Sequence, residues 1–133
     1  MRNSDTNELR YLAPFREVPV KRLPELRRLF TAIEAHSDTE VVRQGSPARE
    51  FIVLASGTAT VIRDRQVVAE LGAGDVFGEM GMLTGDARNA SVIVSPGAQM
   101  LAANRVEFHT MIHDFPEVAD HLARVAAERA ALN

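Results

Sequence analysis

The sequence predicts a mainly β domain flanked by helices, built as an antiparallel sandwich or roll. Short β-rich runs separated by turn residues every few positions fill the middle of the chain, and helical periodicity is confined to its two ends. The 133 residues suit one domain, and a hydrophobic content of 46% against 25% charged is enough to bury one core. A net charge of −3 removes the broad basic surface that nucleic acid or an anionic membrane would ask for. With no cysteine, disulfides, thiolate chemistry and cysteine-based zinc sites are excluded. No apolar run is long enough to span a bilayer and the polar N-terminus lacks an apolar signal core, so the expected place is the cytoplasm or the cytoplasmic face of a membrane protein.

Residues 1–8 are polar and read as a flexible N-terminal segment, with the domain proper over 9–133. Leu9, Leu12 and Phe15 recur at helical spacing before Pro14 and Pro19 break the pattern. From Arg22, the positions Leu23, Leu26, Leu29, Phe30 and Ile33 predict one amphipathic helix, with Pro24 near its start, where a missing N–H costs little. After His36 the period is that of strands: Thr39–Arg43, Phe51–Ala55, Thr58–Arg63, Val67–Leu71, Ala90–Val94 and Ala98–Ala103. Turn residues divide them, among them Gln44-Gly45-Ser46-Pro47, Asp64-Arg65 and Gly72-Ala73-Gly74-Asp75. Asn104 and Glu107 have the spacing of a capping box that opens a helix to about Asp114. Phe115-Pro116 forces a break, and Pro116 suits the first position of a last helix to about Leu132.

The stretch Phe77 to Ser91 carries the chemistry. Gly78 removes a side chain where a short turn of helix can begin, and N–H groups there attract an anion. Arg88 adds a permanent planar fork of donors that matches phosphate oxygens. Glu79, acceptor-only when ionised, suits a hydroxyl or an amine. A ribose 3′,5′-cyclic phosphate, with its singly charged phosphate beside a free 2′-OH, would satisfy these groups together.

Phe77-Gly78-Glu79 and Arg88-Asn89-Ala90-Ser91, at this spacing, resemble the two ends of the phosphate-binding cassette of cyclic nucleotide-binding domains. These are the domains of catabolite activator proteins, protein kinase A regulatory subunits and cyclic nucleotide-gated channels. The resemblance covers roughly Leu9 to Leu132, and Ala126-Ala127-Glu128-Arg129 is similar to a run in bacterial channel-type domains. Ser37-Asp38 stands where the family often has glycine before a strand. The resemblance implies a jelly roll (double-stranded β-helix) with an N-terminal helix, a short cassette helix and two C-terminal helices. It places Gly78, Glu79, Met80, Arg88, Asn89, Ala90 and Arg129 at the ligand. Glu79 would accept from the ribose 2′-OH, Arg88 would pair with the cyclic phosphate, and the N–H groups of Asn89 and Ala90 would complete the cradle. Gly78 would leave room for the ligand's close approach. The ligand is cAMP on family frequency, with cGMP left open, and no cofactor is implied.

Arg129 continues the face of the last helix marked by Val118, Leu122 and Val125. Either it snorkels to solvent, or it closes as a lid on the purine. The lid reading leaves Arg129 in water, on a mobile helix end, before ligand arrives. His109 and His113 have a metal-compatible spacing, but no third ligand is evident. With no histidine between Ser37 and Phe108 and no nucleophile–base set, a β-roll enzyme is disfavoured and neither catalytic nor metal residues are assigned. The leading reading is a regulatory module whose C-terminal helix reports ligand to an attached or partner channel, transporter, enzyme or regulator. It implies no direct contact with nucleic acid and no insertion into a membrane. The alternative is a ligand-free interaction or dimerisation domain on the same fold.

Overall fold

A computed structural model describes residues 3–132. It contains eight strands: β1 (Thr31–Glu34), β2 (Thr39–Val42), β3 (Glu50–Ser56), β4 (Ala59–Arg63), β5 (Gln66–Leu71), β6 (Val76–Phe77), β7 (Ser91–Val94) and β8 (Gln99–Asn104). They form two four-stranded sheets, β1-β8-β3-β6 and β2-β7-β4-β5, and every pairing is antiparallel. The expected roll is therefore present. Its helices are α1 (Leu23–Arg27), α2 (Glu79–Thr84), α3 (Arg105–Asp114) and α4 (Pro116–Leu132).

The continuous apolar runs Phe51–Leu54 and Met100–Ala103 mark strands covered on both faces. Phe51, Val53, Leu101 and Ala103 face the helices and pack with Leu9, Phe15, Leu26, Phe108, Phe115 and Leu122. Ile52, Leu54, Met100 and Ala102 face the other way, against Val42, Ala59, Phe77, Val92 and Val94 between the sheets. A chain of rings links the layers: Phe15–Phe30 at 5.7 Å, Phe30–Phe51 at 6.4 Å and Phe51–Phe108 at 5.2 Å between centroids.

The helix expected from Arg22 to Ile33 is corrected. Helix α1 stops at Arg27, and Thr31–Glu34 is a strand paired with β8. Leu23, Leu26 and Phe30 are buried, whereas Ile33 is 39% exposed on the sheet. The helical spacing of Leu9, Leu12 and Phe15 falls on 3-10 turns at Asn3–Tyr11 and Ala13–Phe15, and all three side chains are buried as that spacing requires.

The capping box is formed. The Glu107 N–H donates to Asn104 Oδ1 at 2.8 Å, and the Asn104 N–H donates to Glu107 Oε1 at 2.9 Å. Helix α3 ends at Phe115, whose φ of −127° and ψ of 80° lie outside the helical region, as the residue before a proline requires. Arg22 clasps this junction, donating to the Asp114 carbonyl at 2.9 Å and lying 4.2 Å over the Phe115 ring.

His121, on α4, is held below the ordinary histidine value first by burial, then by Arg124 and Arg16, against the opposing pull of Glu128. A depressed pKa means that the folded state binds this proton less readily than the unfolded one. Its stabilising contribution is therefore full above about pH 6.5 and is lost as pH falls through the lower folded value. Thermal melts from pH 7.5 to pH 5 should show a falling midpoint, and His121→Gln should flatten part of that fall. An unchanged slope in the variant would remove His121 from the pH response.

Candidate functional site

The tight β4–β5 turn and the cassette are tied to one corner of the molecule. Asp64 and Arg65 have φ of 53° and 69°, the paired left-handed geometry of a two-residue hairpin. The Gln44 side chain holds that turn, donating to Asp64 Oδ1 at 2.8 Å and accepting from the Asp64 N–H at 2.9 Å. The Gln44 N–H also donates to Ser91 Oγ at 2.9 Å. Next to it, the Gly45 N–H donates to the Arg88 carbonyl and the Arg88 N–H donates to the Ser46 carbonyl, each at 2.8 Å. Arg88 is thus positioned by its backbone before its side chain makes any contact.

Between the β4–β5 hairpin, the cassette and the end of α4 lies a cavity of about 320 Å³. All of the residues expected at the ligand border it: Gly78, Glu79, Met80, Arg88, Asn89, Ala90 and Arg129. Val61, Val68, Leu71, Phe77 and Val92 supply apolar wall. An apolar pocket with a few converging polar groups is the usual form of a small-molecule site.

Glu79 is the first residue of α2 and is fully buried. Its Oε1 accepts from Arg129 Nη1, while Oε2 has no partner. Arg129 Nη2 donates to the Val76 carbonyl at 2.6 Å. Its side chain is 32% exposed. Arg129 thus has two protein partners, a carboxylate and a backbone carbonyl, where the sequence suggested only water or a purine. The helix face was read correctly, and the group that Arg129 meets there is the carboxylate of the cassette.

Arg88 Nη2 donates to the Glu50 carbonyl, and its Nη1 is buried with no partner. Burial lowers its pKa from the ordinary arginine value; Glu50 and Glu79 oppose that shift, and Arg105 adds to it. The guanidinium remains charged, since the ordinary arginine value lies so far above neutrality. It is under-compensated, the condition in which an incoming anion is favoured. Gly78 has φ +93°, and a Cβ there would lie 2.7 Å from the Glu50 carbonyl oxygen and strike the Arg88 guanidinium. The atoms that require a glycine at this position are thus those of the Arg88 guanidinium and its acceptor, the Glu50 carbonyl. Gly81 allows α2 to pack on Ala48, whose Cβ would lie 2.6 Å from an added one.

Ser91 opens β7 and acts as a local acceptor. His109 and His113 are exposed on α3, and among the described residues no group of three or more histidines or carboxylates is arranged to hold a metal. Sequence reasoning missed Arg63. It borders the cavity at the end of β4, and its Nε donates to the Asn89 carbonyl at 3.2 Å. Its signal was alternation alone, since Arg63 shares a strand face with Val61.

The model of the cyclic nucleotide-binding domain matches residues 33–115, from β1 through the end of α3. A cyclic nucleotide-gated potassium channel of Rhizobium etli is 33% identical over 89 residues, which are 67% of this chain and 25% of the channel. The catabolite activator protein of Thermus thermophilus superposes with a TM-score of 0.80 at 25% identity, over 89% of this chain and 58% of that one. The regulatory domain of Toxoplasma gondii protein kinase A, solved with cAMP, superposes with a TM-score of 0.80 over 94% of this chain and 49% of that one; at 20% identity it shares the fold. The matched stretch is thus a quarter of the channel's length and about half that of the two solved proteins. On the family match and the roll that carries it, this chain belongs to the cyclic nucleotide-binding domain family.

Proposed function

We propose that the cavity binds a 3′,5′-cyclic nucleotide, cAMP in preference to cGMP, and that α4 passes the bound state to an attached or partner protein. One observation carries the reading. Glu79 Oε2, an acceptor, and Arg88 Nη1, a donor, are both buried without partners, and both residues border the same cavity. Buried polar atoms left unpaired are costly, on the order of 1–3 kcal/mol each. A ribose cyclic phosphate offers a 2′-OH to the first and a phosphate oxygen to the second. A Thermus thermophilus relative named as a cyclic AMP receptor protein, 32% identical over 91 residues, supports the adenine nucleotide.

The output rests with the protein to which the domain is joined, a channel, transporter, enzyme or regulator, and the domain acts as a regulatory module with no chemistry of its own. No helix among the described residues is long and apolar enough to cross a membrane. A cytoplasmic setting, where cyclic nucleotides are made and destroyed, fits the reading.

Calorimetric titration with cAMP and with cGMP is the direct test. Saturable binding with cAMP tighter is expected; no heat with either ligand would leave a ligand-free interaction domain. Glu79 gives a sharper form of the test. The wild type should bind 2′-deoxy cyclic AMP more weakly than cAMP by roughly ten-fold or more, the worth of one hydrogen bond to a charged group. Glu79→Gln should lose much of that discrimination, and equal affinity for ribose and deoxyribose ligands in the wild type would remove the role assigned to Glu79.

A further inference from the structure

We infer that Arg63 is a second cation for the ligand's phosphate, acting beside Arg88; the inference rests on the reading of the cavity given above. Arg63 ends β4 and shares a strand face with Val61, and both side chains border the cavity. The two differ in where they are held. Val61 belongs to the apolar wall, with Val68 and Leu71, against which a purine would lie. Arg63 is tethered through Nε to the carbonyl of Asn89, the residue that follows Arg88. Its guanidinium therefore stands at the phosphate end of the cavity, beside the cradle, and away from the apolar wall.

The tether is built in. The turn following Arg63 is gripped by Gln44, whose own N–H is bonded to Ser91, and Gly45 and Ser46 hold the backbone of Arg88. One short segment thus fixes the β4–β5 tip and the cassette to each other and sets the spacing of the two arginines.

A cation on the phosphate acts on every cyclic nucleotide alike, because the phosphate is common to all. A cation on the base edge would act selectively, because guanine offers a pair of acceptors where adenine offers an acceptor beside a donor. The test is titration of cAMP and cGMP into wild type, Arg63→Gln and Arg63→Lys at low and high salt, with a thermal melt of each protein. Glutamine keeps a donor for the Asn89 carbonyl and drops the charge, and lysine keeps the charge and drops the fork. Arg63→Gln should weaken both ligands by roughly ten-fold, the worth of a charge-assisted contact discounted for partial exposure. The cAMP-to-cGMP ratio should stay within about two-fold, lysine should recover part of the loss, and wild-type affinity should fall more steeply with salt than that of the glutamine variant. Unchanged affinity in Arg63→Gln, a change confined to one nucleotide, or no recovery with lysine would overturn the assignment while leaving the cavity's ligand standing. If the wild type itself binds neither nucleotide, the reading of the cavity fails and the role of Arg63 falls with it.

Discussion

Replacing Arg88 with alanine should weaken cyclic nucleotide binding by roughly thirty-fold to several thousand-fold, the equivalent of about 2–5 kcal/mol for removing one partner of a desolvated charge pair. Two features place it at the top of the scale for this cavity. Its Nη1 is buried and unpaired, so a phosphate oxygen would meet a donor that has already lost its water. Its backbone is fixed by Gly45 and Ser46, so little ordering remains to be done on binding. Those same backbone bonds do not need the side chain, and the roll should survive the substitution. Arg88→Lys should fall between, with the charge kept and the bidentate fork lost. Calorimetry on the folded variants checks it; wild-type affinity in Arg88→Ala would sink the assignment of the phosphate to this corner.

What could be read in the sequence was what is local or repeated. Asn104 and Glu107 lie three residues apart, and their mutual bonds follow from that spacing alone. Phe51–Ala55 and Ala98–Ala103 announce strands, as runs that are almost wholly apolar and bounded by turn residues. The cassette was legible because its glycine, acid and arginine each have one distinctive chemistry at a fixed spacing. Strand β1 was not legible. Thr31–Glu34 continues the helical spacing of Leu23, Leu26 and Phe30, and what makes it a strand is its pairing with β8, near residue 100. Long-range pairing leaves no mark on a short segment, and tertiary context overrides a weak local pattern. Arg63 was hidden for a similar reason. An arginine at a strand end beside a turn looks like an ordinary solvated residue until the fold brings Asn89 to it.

Arg129 shows the same limit, and the structure raises its expected effect. Its helix face was legible, but its partner Glu79 lies fifty residues away in sequence. Arg129→Ala would leave a fully buried carboxylate with neither oxygen paired. Breaking a buried ion pair from one side costs about 3–5 kcal/mol, because the remaining charge stays desolvated. Arg129 is a third exposed, so water can partly replace it, and a loss of about 2–3 kcal/mol of stability is expected. The penalty belongs to the stranded charge, so neutralising that charge should relieve it. The Glu79→Gln, Arg129→Ala double variant should accordingly be more stable than Arg129→Ala alone, with a coupling of roughly 1–3 kcal/mol in the cycle. Amide exchange should report the same bond from the helix side. Without ligand, residues 123–132 should be protected in the wild type and exchange faster in Arg129→Ala, since the ion pair and the bond to the Val76 carbonyl fasten α4 to the cassette. Ligand should then raise that protection further by giving Glu79 Oε2 its missing donor and stiffening the cassette to which α4 is fastened. Additive single-variant effects, with unchanged exchange at the end of α4, would show that Glu79 does not hold this helix and that α4 must read the ligand through another contact.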